Sequence, residues 1–323
     1  MIKKLRCLFI GSIIFFSIVK IHAQDPEFSQ FYANPMYTNP AFAGSECHRL
    51  ALAYRIQYYG LPGGYVTFNA SYDQRVKKID GGFGIMYTND NAGEGILTAN
   101  HLYAAYAYEH ALNKKISLRL GIQGGIFQKS LQWDKLRWGD QIIAQLGFAN
   151  PTNEPRIDKA VTAANFALGA LIYSDKFYGG FAIHNLFEPN QSFFEGSSKL
   201  PRRYTVHGGL VIPLDGKTVP EWTITPNILI MSQGKFNQAN IGFYVNKGPI
   251  VAGFSFRQTI PNTDAFIPMI GFRKGHFKFG YSLDITVSNL RTAGKTAHEL
   301  TILFEFSKKK KGPCLPQPRC PTY

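Results

Sequence analysis

The chain has 323 residues, a formal net charge of +14 and an aromatic content of 14%. This length is enough for one large domain or for two ordinary ones. The basic residues form no stripe along the chain, and five of them lie after Phe306. The charge pattern therefore excludes nucleic acid as an expected partner.

The first 23 residues are typical of an export signal. Lys3, Lys4 and Arg6 precede a mainly apolar run of twelve residues, 8–19, and Ala23 supplies a small residue for cleavage. The run is too short to span a bilayer, which needs about 20 apolar residues. We predict export with cleavage near Ala23. The mature net charge is then +10, because four of the 35 basic residues and none of the 21 acidic residues lie in the signal.

Residues 24–48 form an aromatic segment that is interrupted by prolines. The dipeptides Asn34-Pro35 and Asn39-Pro40 favour extended and turn geometry and remove backbone donors, so we predict neither a regular strand nor a helix here. Aromatic side chains left in water would be unfavourable. The segment is therefore expected to pack against the domain that follows, and the alternative is a disordered leader. Its predicted anchors are Phe28, Phe31, Tyr32, Tyr37 and Phe42.

Residues 49–306 alternate between apolar and polar residues, with almost no helical periodicity. In 115–127, for example, Leu118 and Leu120 lie on one face and Ser117 and Arg119 on the other. The pattern predicts fourteen strands: 49–58, 65–75, 82–89, 97–110, 115–127, 161–173, 176–185, 202–213, 221–232, 236–246, 249–258, 265–273, 275–287 and 297–306.

A soluble β-sandwich and a transmembrane β-barrel share this alternation. Two observations favour the barrel. The longest predicted loops, 128–160 and 186–201, fall on the same side, and many predicted strands reach the ~9–11 residues that a membrane strand needs. We predict an all-β fold, a 14-stranded antiparallel transmembrane β-barrel of the outer membrane. The irregular segment 24–48 would then enter its periplasmic mouth or its lumen as a plug.

Residues 307–323 form a basic tail with prolines and cysteines. Four lysines end the last strand, and four prolines favour an extended, polyproline-like chain. The tail is either solvated near anionic headgroups or a tether to a periplasmic partner. In an oxidising periplasm, Cys314 and Cys320 could form a disulfide or stay unpaired.

Three separated stretches carry a resemblance to a known family. They are the N-terminal segment, "KSLQWDKLRWGDQI" at 129–142 and "GGFAIHNLFEPNQSF" at 179–193. With them the chain resembles the PorP/SprF family, outer-membrane proteins of the type IX secretion and gliding motility systems of Bacteroidetes. The tail departs from the family pattern. The matching residues of the N-terminal segment are Gln24, Asp25, Pro26, Phe28, Ser29, Gln30, Tyr32, Asn34, Pro35, Asn39, Pro40, Ala41 and Gly44.

The resemblance implies a non-enzymatic accessory component of type IX secretion. It would support the delivery or surface anchoring of one specific secreted client, such as an adhesin. The implied partners are outer-membrane lipid, client proteins with C-terminal sorting domains, and periplasmic components of the secretion system. Two alternatives stay open: an accessory subunit of another outer-membrane machine, and a porin-like channel. In a channel, water would be favoured by the lumen residues Asp73, Arg119, Arg257, Lys278 and Asp284.

The two longest loops hold large apolar side chains whose exposure to solvent would need a reason. They either cover the barrel mouth or form a docking surface for a client, and Trp and Arg are residue types that dominate interface energetics. The sequence contains no hydrolase, metalloprotease or nucleotide-binding motif, so we predict no catalytic residue, metal or cofactor. The candidate docking residues are Trp133, Leu136, Arg137, Trp138, Phe193 and Phe194.

Overall fold

The computed structural model describes most of the residues from 24 to 306. The described part leaves out residues 47, 61, 144, 157–159, 195, 217–220, 261–262 and 288–295. The predicted signal, 1–23, and the predicted tail, 307–323, lie outside the described residues. The candidate disulfide between Cys314 and Cys320 lies in that tail and therefore also outside the described residues.

The fourteen predicted strands are all present, so the prediction of a 14-stranded antiparallel barrel is confirmed. Each strand pairs antiparallel with the next, and the last pairs with the first, which closes the sheet. Closure leaves no unpaired edge in the barrel sheet that the described strands form. The strands are β1 (His48–Tyr59), β2 (Tyr65–Val76), β3 (Gly81–Ala92), β4 (Leu97–Ala111), β5 (Ser117–Leu131), β6 (Val161–Tyr173), β7 (Phe177–His184), β8 (Arg203–Leu210, continued by Ile212–Pro213), β9 (Trp222–Gln233), β10 (Phe236–Lys247), β11 (Ile250–Ile260), β12 (Thr263–Lys274), β13 (Phe277–Thr286) and β14 (Thr296–Glu305).

The barrel carries apolar side chains on its outside and polar side chains on its inside. In β5, Leu120 and Ile122 are 52% and 58% exposed, whereas Arg119 is 0% exposed. Asn69 and Asp284, which also face inward, are 0% and 1% exposed. A soluble sandwich would show the reverse arrangement, and an outer face of this kind suits hydrocarbon. The transmembrane barrel is therefore the correct choice between the two predicted folds.

The connections divide the barrel into two ends. The long connections 132–160 and 185–202 lie at one end, which we call the outer end. Short turns such as 77–80, 174–176 and 248–249 lie at the other, which we call the periplasmic end. This distribution is typical of outer-membrane barrels. Among the described residues, no helix is long and apolar enough to cross a membrane.

Two strands are longer at the outer end than the sequence indicated. β3 was expected to end at residue 89 and β5 at residue 127, but they reach 92 and 131. Asn89 and Asn91 resemble turn residues in the sequence, yet they pair across the sheet with Asn100 and Thr98. Cross-strand pairing thus overrides the low strand propensity of asparagine.

Residues 24–46, which we call the lumen segment, fold into short helical turns inside the barrel. A 3-10 turn (Phe31–Ala33), one α-helical turn (Pro35–Thr38) and a second 3-10 turn (Pro40–Phe42) follow one another. The prediction of no helix was therefore wrong for Pro35–Thr38. Proline is favoured at the first position of a helix, where its missing N–H costs nothing.

Candidate functional site: the filled lumen and the outer loops

The lumen segment runs through the barrel from the outer end to the periplasmic end. Near its start, Asp25 forms an ion pair of 3.2 Å with Arg203 and accepts a hydrogen bond of 3.0 Å from the side chain of Asn185. Arg203 is the first residue of β8 and Asn185 follows β7, so both lie at the outer end. At the other end of the segment, the backbone N–H of Gly44 donates to Asp73 in the periplasmic half of β2.

The segment fills the lumen by packing its own large side chains against the wall. Phe28, Phe31 and Met36 are at most 5% exposed, and Tyr32 packs edge-on against Tyr244 of β10 at 4.3 Å. Burying one side chain of this size contributes about 1.5–3 kcal/mol. Three apolar clusters join the segment to the wall. The first cluster consists of Phe31, Tyr32, Ala33, Ala51, Leu229, Tyr244, Val251, Met269 and Leu303. The second consists of Met36, Ala43, Met86, Tyr103, Ala105 and Ala107, and the third of Ala41, Phe42, Leu171, Tyr173 and Tyr178.

A buried charge network holds the outer half of the segment. Ser29 donates its backbone N–H to Glu299 at 2.7 Å and its hydroxyl to Asp284 at 2.8 Å. Arg55 bridges these two carboxylates and lies 2.8 Å from Asp284 and 3.2 Å from Glu299. Arg257 lies 2.9 Å from both Asp284 and Glu27 of the segment. Since each buried charge has partners of opposite sign, the network avoids the large penalty of an unpaired ion.

The middle of the segment is held by hydrogen bonds to strands β6, β7 and β8. The side chain of Asn39 donates to the carbonyls of Ala170 and Phe181 at 3.0 and 3.2 Å. The guanidinium of Arg203 lies over the ring of Tyr37 at 4.7 Å and donates to its hydroxyl at 3.0 Å.

Two arginines fix the periplasmic end of the segment. Arg119 of β5 donates to the carbonyls of Ala41 and Ala43. Arg49 of β1 forms an ion pair of 2.9 Å with Asp73, which also receives the N–H of Gly44. Charge-assisted bonds of this kind are stronger than neutral ones.

Glycines in the wall leave room for the segment where it approaches most closely. A Cβ added at Gly121 would lie 2.3 Å from the backbone nitrogen of Ala41, and one at Gly169 would lie 2.0 Å from Asn39 Oδ1. Gly44 has φ +67, and a Cβ there would meet the Gln74 carbonyl at 2.5 Å. The backbone of the segment and the wall are thus complementary in shape.

The residues that the resemblance marked in the N-terminal segment lie together in the lumen, apart from Gln24, which is exposed. Pro26 is half-buried, and the other marked residues, from Phe28 through Gly44, are buried. Sequence reasoning missed Glu27, Met36 and Glu46 of the segment and the wall residues Arg55 and Glu299. No local signal identifies the wall residues, since Ser29 and Glu299 are 270 positions apart.

The candidate docking residues of the outer loops do not form one exposed surface. Trp133 is only 8% exposed and packs against Trp138 with ring centroids 4.9 Å apart. Leu136 and Phe193 are half-buried, whereas Arg137 is exposed and Phe194 is 61% exposed. Trp133 is therefore packed inside the loop, so it is not available as an exposed docking residue.

A small hairpin of the first outer loop exposes apolar side chains instead. Its two strands, Ile142–Ile143 and Gly147–Phe148, pair with each other and with no barrel strand. Ile142, Leu146 and Phe148 are 54%, 73% and 56% exposed. The hairpin thus presents an exposed apolar surface at the outer end. Gly147 has φ +74, and a glycine in this short apolar stretch could have indicated a turn.

Family comparison places this barrel among known proteins. The profile of the "Type IX secretion system membrane protein PorP/SprF" family matches residues 21–304. The chain belongs to the PorP/SprF family. This PorP/SprF protein is thus a membrane component of type IX secretion, as the resemblance implied, and its barrel places it in the outer membrane. No curated protein matches the chain.

Solved structures similar to this PorP/SprF barrel are membrane channels. The "CymD monoaromatic hydrocarbon channel" is 11% identical, with 86% of this chain and 94% of that chain covered and a TM-score of 0.50. The toluene transporter TodX of Pseudomonas putida is 10% identical, with 87% and 94% covered and a TM-score of 0.43. The KdgM porin is 9% identical, with 80% and 99% covered and a TM-score of 0.37. Of these three structures, CymD alone reaches a TM-score of 0.50, and at 11% identity this similarity supports the fold alone.

Glu46, at the periplasmic end of the lumen segment, is expected to make the binding of the segment inside the lumen depend on pH. We call the state in which the segment is bound inside the lumen the seated state. Burial, followed by the nearby Glu305 carboxylate, raises the pKa of Glu46 from 4.5 to about 7. The seated state therefore favours the protonated acid. This contribution to the stability of the bound segment is fully present below pH 4.5 and is lost as the pH rises through 7.

Glu46→Gln should remove this dependence, because glutamine resembles the protonated acid at every pH. Hydrogen exchange of the amides of residues 36–46 measures the effect. Wild type should exchange faster at pH 8 than at pH 5 after correction for the intrinsic rate, and the variant should not. An equal dependence in both proteins would show that another group titrates.

Proposed function

We propose that this protein is a non-enzymatic accessory barrel of type IX secretion whose own lumen is closed, and which acts through its two ends. The observation that carries the proposal is the filled lumen. The segment 24–46 is joined to the wall by ion pairs at Arg203 and Arg257 and by shape at Gly121 and Gly169. A client that passes the outer membrane with the help of this protein would therefore use another route and dock on this barrel.

The porin-like channel is the second candidate function, and the size of the barrel favours it. Fourteen strands enclose more space than side chains alone can fill, since about eight strands give a filled interior. The segment occupies that space, which supports docking over conduction. A channel would require the segment to leave the lumen and to break the ion pairs of Asp25 and Glu27.

The position of the lumen segment supports export with removal of residues 1–23. Asp25 lies at the outer end of the lumen, where its backbone N–H donates to Gln233 at 3.0 Å. A signal still anchored in the inner membrane could not let residue 25 reach this position. N-terminal sequencing of the protein from the outer membrane should therefore begin near Gln24.

The proposed docking surface for a secreted client is the exposed part of the outer loops. The hairpin 142–148, with Arg137 and Phe194, presents apolar and charged groups at the outer end. The periplasmic end, with the tail 307–323, is proposed to contact periplasmic components of the secretion system. Client proteins with C-terminal sorting domains are the proposed partners at the outer end.

Replacing the exposed hairpin residues tests the client proposal. The variant Ile142→Ser/Leu146→Ser/Phe148→Ser should reduce surface display of one client about tenfold, since interface anchors typically contribute more than 1 kcal/mol each. Surface proteomics of intact cells measures display. The matched control, Leu112→Ser/Leu214→Ser, replaces residues at the periplasmic end that are 51% and 54% exposed.

Barrel abundance must be equal in the two variants. Normal display of every type IX substrate in the hairpin variant would contradict the docking role. A loss of many substrates at once in both variants would indicate a general defect of the secretion system instead.

A further inference from the structure

A polar surface lies on the outside of the barrel, directly above the lipid-facing band. It is formed by outward-facing residues near the outer ends of β3, β4, β5 and β6. All seven carry amides or hydroxyls, and none carries a charge. We call this surface the amide grid, and its members are Asn89, Asn91, Thr98, Asn100, Gln128, Ser130 and Thr162.

The strand register arranges the grid in two rows. Asn91, Thr98 and Ser130 are cross-strand partners in the upper row. In the lower row, Asn89 pairs with Asn100, Asn100 with Gln128, and Gln128 with Thr162. With strands about 4.8 Å apart and about 3.4 Å of rise per residue, the grid spans roughly 14 by 7 Å, the size of a short oligosaccharide.

Hydrogen bonds along the rows hold the side chains in place. The side-chain N–H of Asn89 and the hydroxyl of Tyr87 both donate to Asn100 Oδ1 at 2.8 Å. Thr98 donates to Asn91 Oδ1 at 2.8 Å. A network that is fixed before a ligand arrives loses less conformational entropy on binding.

The grid begins where the apolar band ends. The outward-facing residues one step below it, Leu102 and Ile126, are 52% and 51% exposed. The grid does not continue to Ile260 and Ile285 on the other side of the barrel, which are still apolar at the outer ends of their strands, with 64% and 43% exposure. β4 and β5, at 15 residues each, therefore extend beyond the hydrocarbon, into the layer of headgroups.

We propose that the amide grid binds the saccharide headgroup of a glycolipid in the outer leaflet. Amides and hydroxyls donate to and accept from sugar hydroxyls, and the surface continues the lipid-facing band without a gap. The charged residues of the same strand ends face inward, where Asp90 accepts a hydrogen bond from Thr67 and Lys129 donates one to Gln191. A neutral surface of this kind recognises a neutral saccharide.

A protein partner fits the grid less well. Protein interfaces draw most of their binding energy from Trp, Tyr and Arg, and the seven residues of the grid include none of these. Tyr87 lies only at the lower edge, among the lipid-facing residues. The occupant is therefore taken to be the glycolipid.

The test measures how much glycolipid remains bound to the full-length protein after purification from its own outer membrane in mild detergent. Native mass spectrometry gives the number of glycolipids per barrel. The variant Asn89→Leu/Asn100→Leu/Gln128→Leu should retain about tenfold less, the effect of losing two net hydrogen bonds. The matched control, Ser232→Leu/Asn237→Leu, changes an outward-facing polar pair at the outer ends of β9 and β10 and should retain as much as wild type.

Three results would overturn the proposal. One is unchanged glycolipid on a folded triple variant, and another is an equal loss in the control. The third is loss of a co-purifying protein with glycolipid unchanged, which would make the grid a protein-docking face. Heat-modifiable electrophoretic mobility reports folding, and if the triple variant does not fold, Asn100→Ala/Gln128→Ala replaces it with the same expectations.

Discussion

Deleting residues 27–44 is expected to convert the closed barrel into an open pore. The deletion keeps the predicted cleavage site and Asp25, and it removes the side chains that fill the lumen. The wall that remains is polar, and its charges still balance, because Arg55 and Arg257 face Asp284 and Glu299. Water is therefore expected to fill the lumen, as it does in larger barrels.

Planar bilayer recordings on the purified proteins measure this effect. Wild type should give currents near the baseline, and the deletion should raise the conductance about tenfold or more, because a lumen of this width becomes aqueous. Equal currents from wild type and deletion would contradict the closed lumen. If the deletion fails to fold, Phe31→Ser/Phe42→Ser keeps the full length of the segment, removes two buried anchors and should give intermittent openings.

Replacing Gly121 by alanine is expected to displace the segment from the lumen while the sequence of the segment stays unchanged. The added methyl group would lie 2.3 Å from the nitrogen of Ala41 and 2.5 Å from the carbonyl carbon of Pro40. Both are backbone atoms, which cannot rotate away as a side chain could. Overpacking of this kind costs about 1–3 kcal/mol, which raises the population of the unseated segment by about 5- to 150-fold.

Hydrogen exchange of the amides of Phe42, Ala43 and Ser45 reports this change, because these amides donate to carbonyls within the segment. Gly179→Ala is the matched control, since a Cβ there would lie 4.0 Å from the nearest atom, the carbonyl oxygen of His207. The control should exchange as wild type does. Unchanged exchange in Gly121→Ala, with the barrel folded, would mean that the segment and wall are not in close contact in solution.

The order and number of strands follow from the sequence alone, because a two-residue period is a local property. The face of Leu118 and Leu120 and the face of Arg119 can be read without knowing any contact. The choice of a membrane barrel needed two further local properties, the alternation of short and long connections and the length of the strands. The ends of the strands were predicted less accurately. Asn89 and Asn91 are residues that favour turns, but in the barrel they pair with Asn100 and Thr98 of the next strand.

The sequence predicted that the anchor residues of the lumen segment are buried, but it did not predict which wall residues the segment contacts. Five aromatic residues near two Asn-Pro dipeptides indicated a buried, irregular chain, and they are buried or half-buried. The partners Glu299, Asp284 and Arg203 could not be read from the sequence, because they become neighbours only when the barrel closes. The outer loops show the same limit, since Trp133 and Leu146 are both apolar and only packing decides which of them faces solvent.

The sequence by itself determined the class of fold, the side of the barrel that faces lipid and the family, because these depend on residue pattern along the chain. The tertiary structure alone decided that the N-terminal segment passes through the lumen with Asp25 at the outer end and Gly44 at the periplasmic end. That path depends on contacts between residues up to 271 positions apart, such as Gln30 and Thr301. Closing the sheet brings them together, and no local rule of sequence contains that closure.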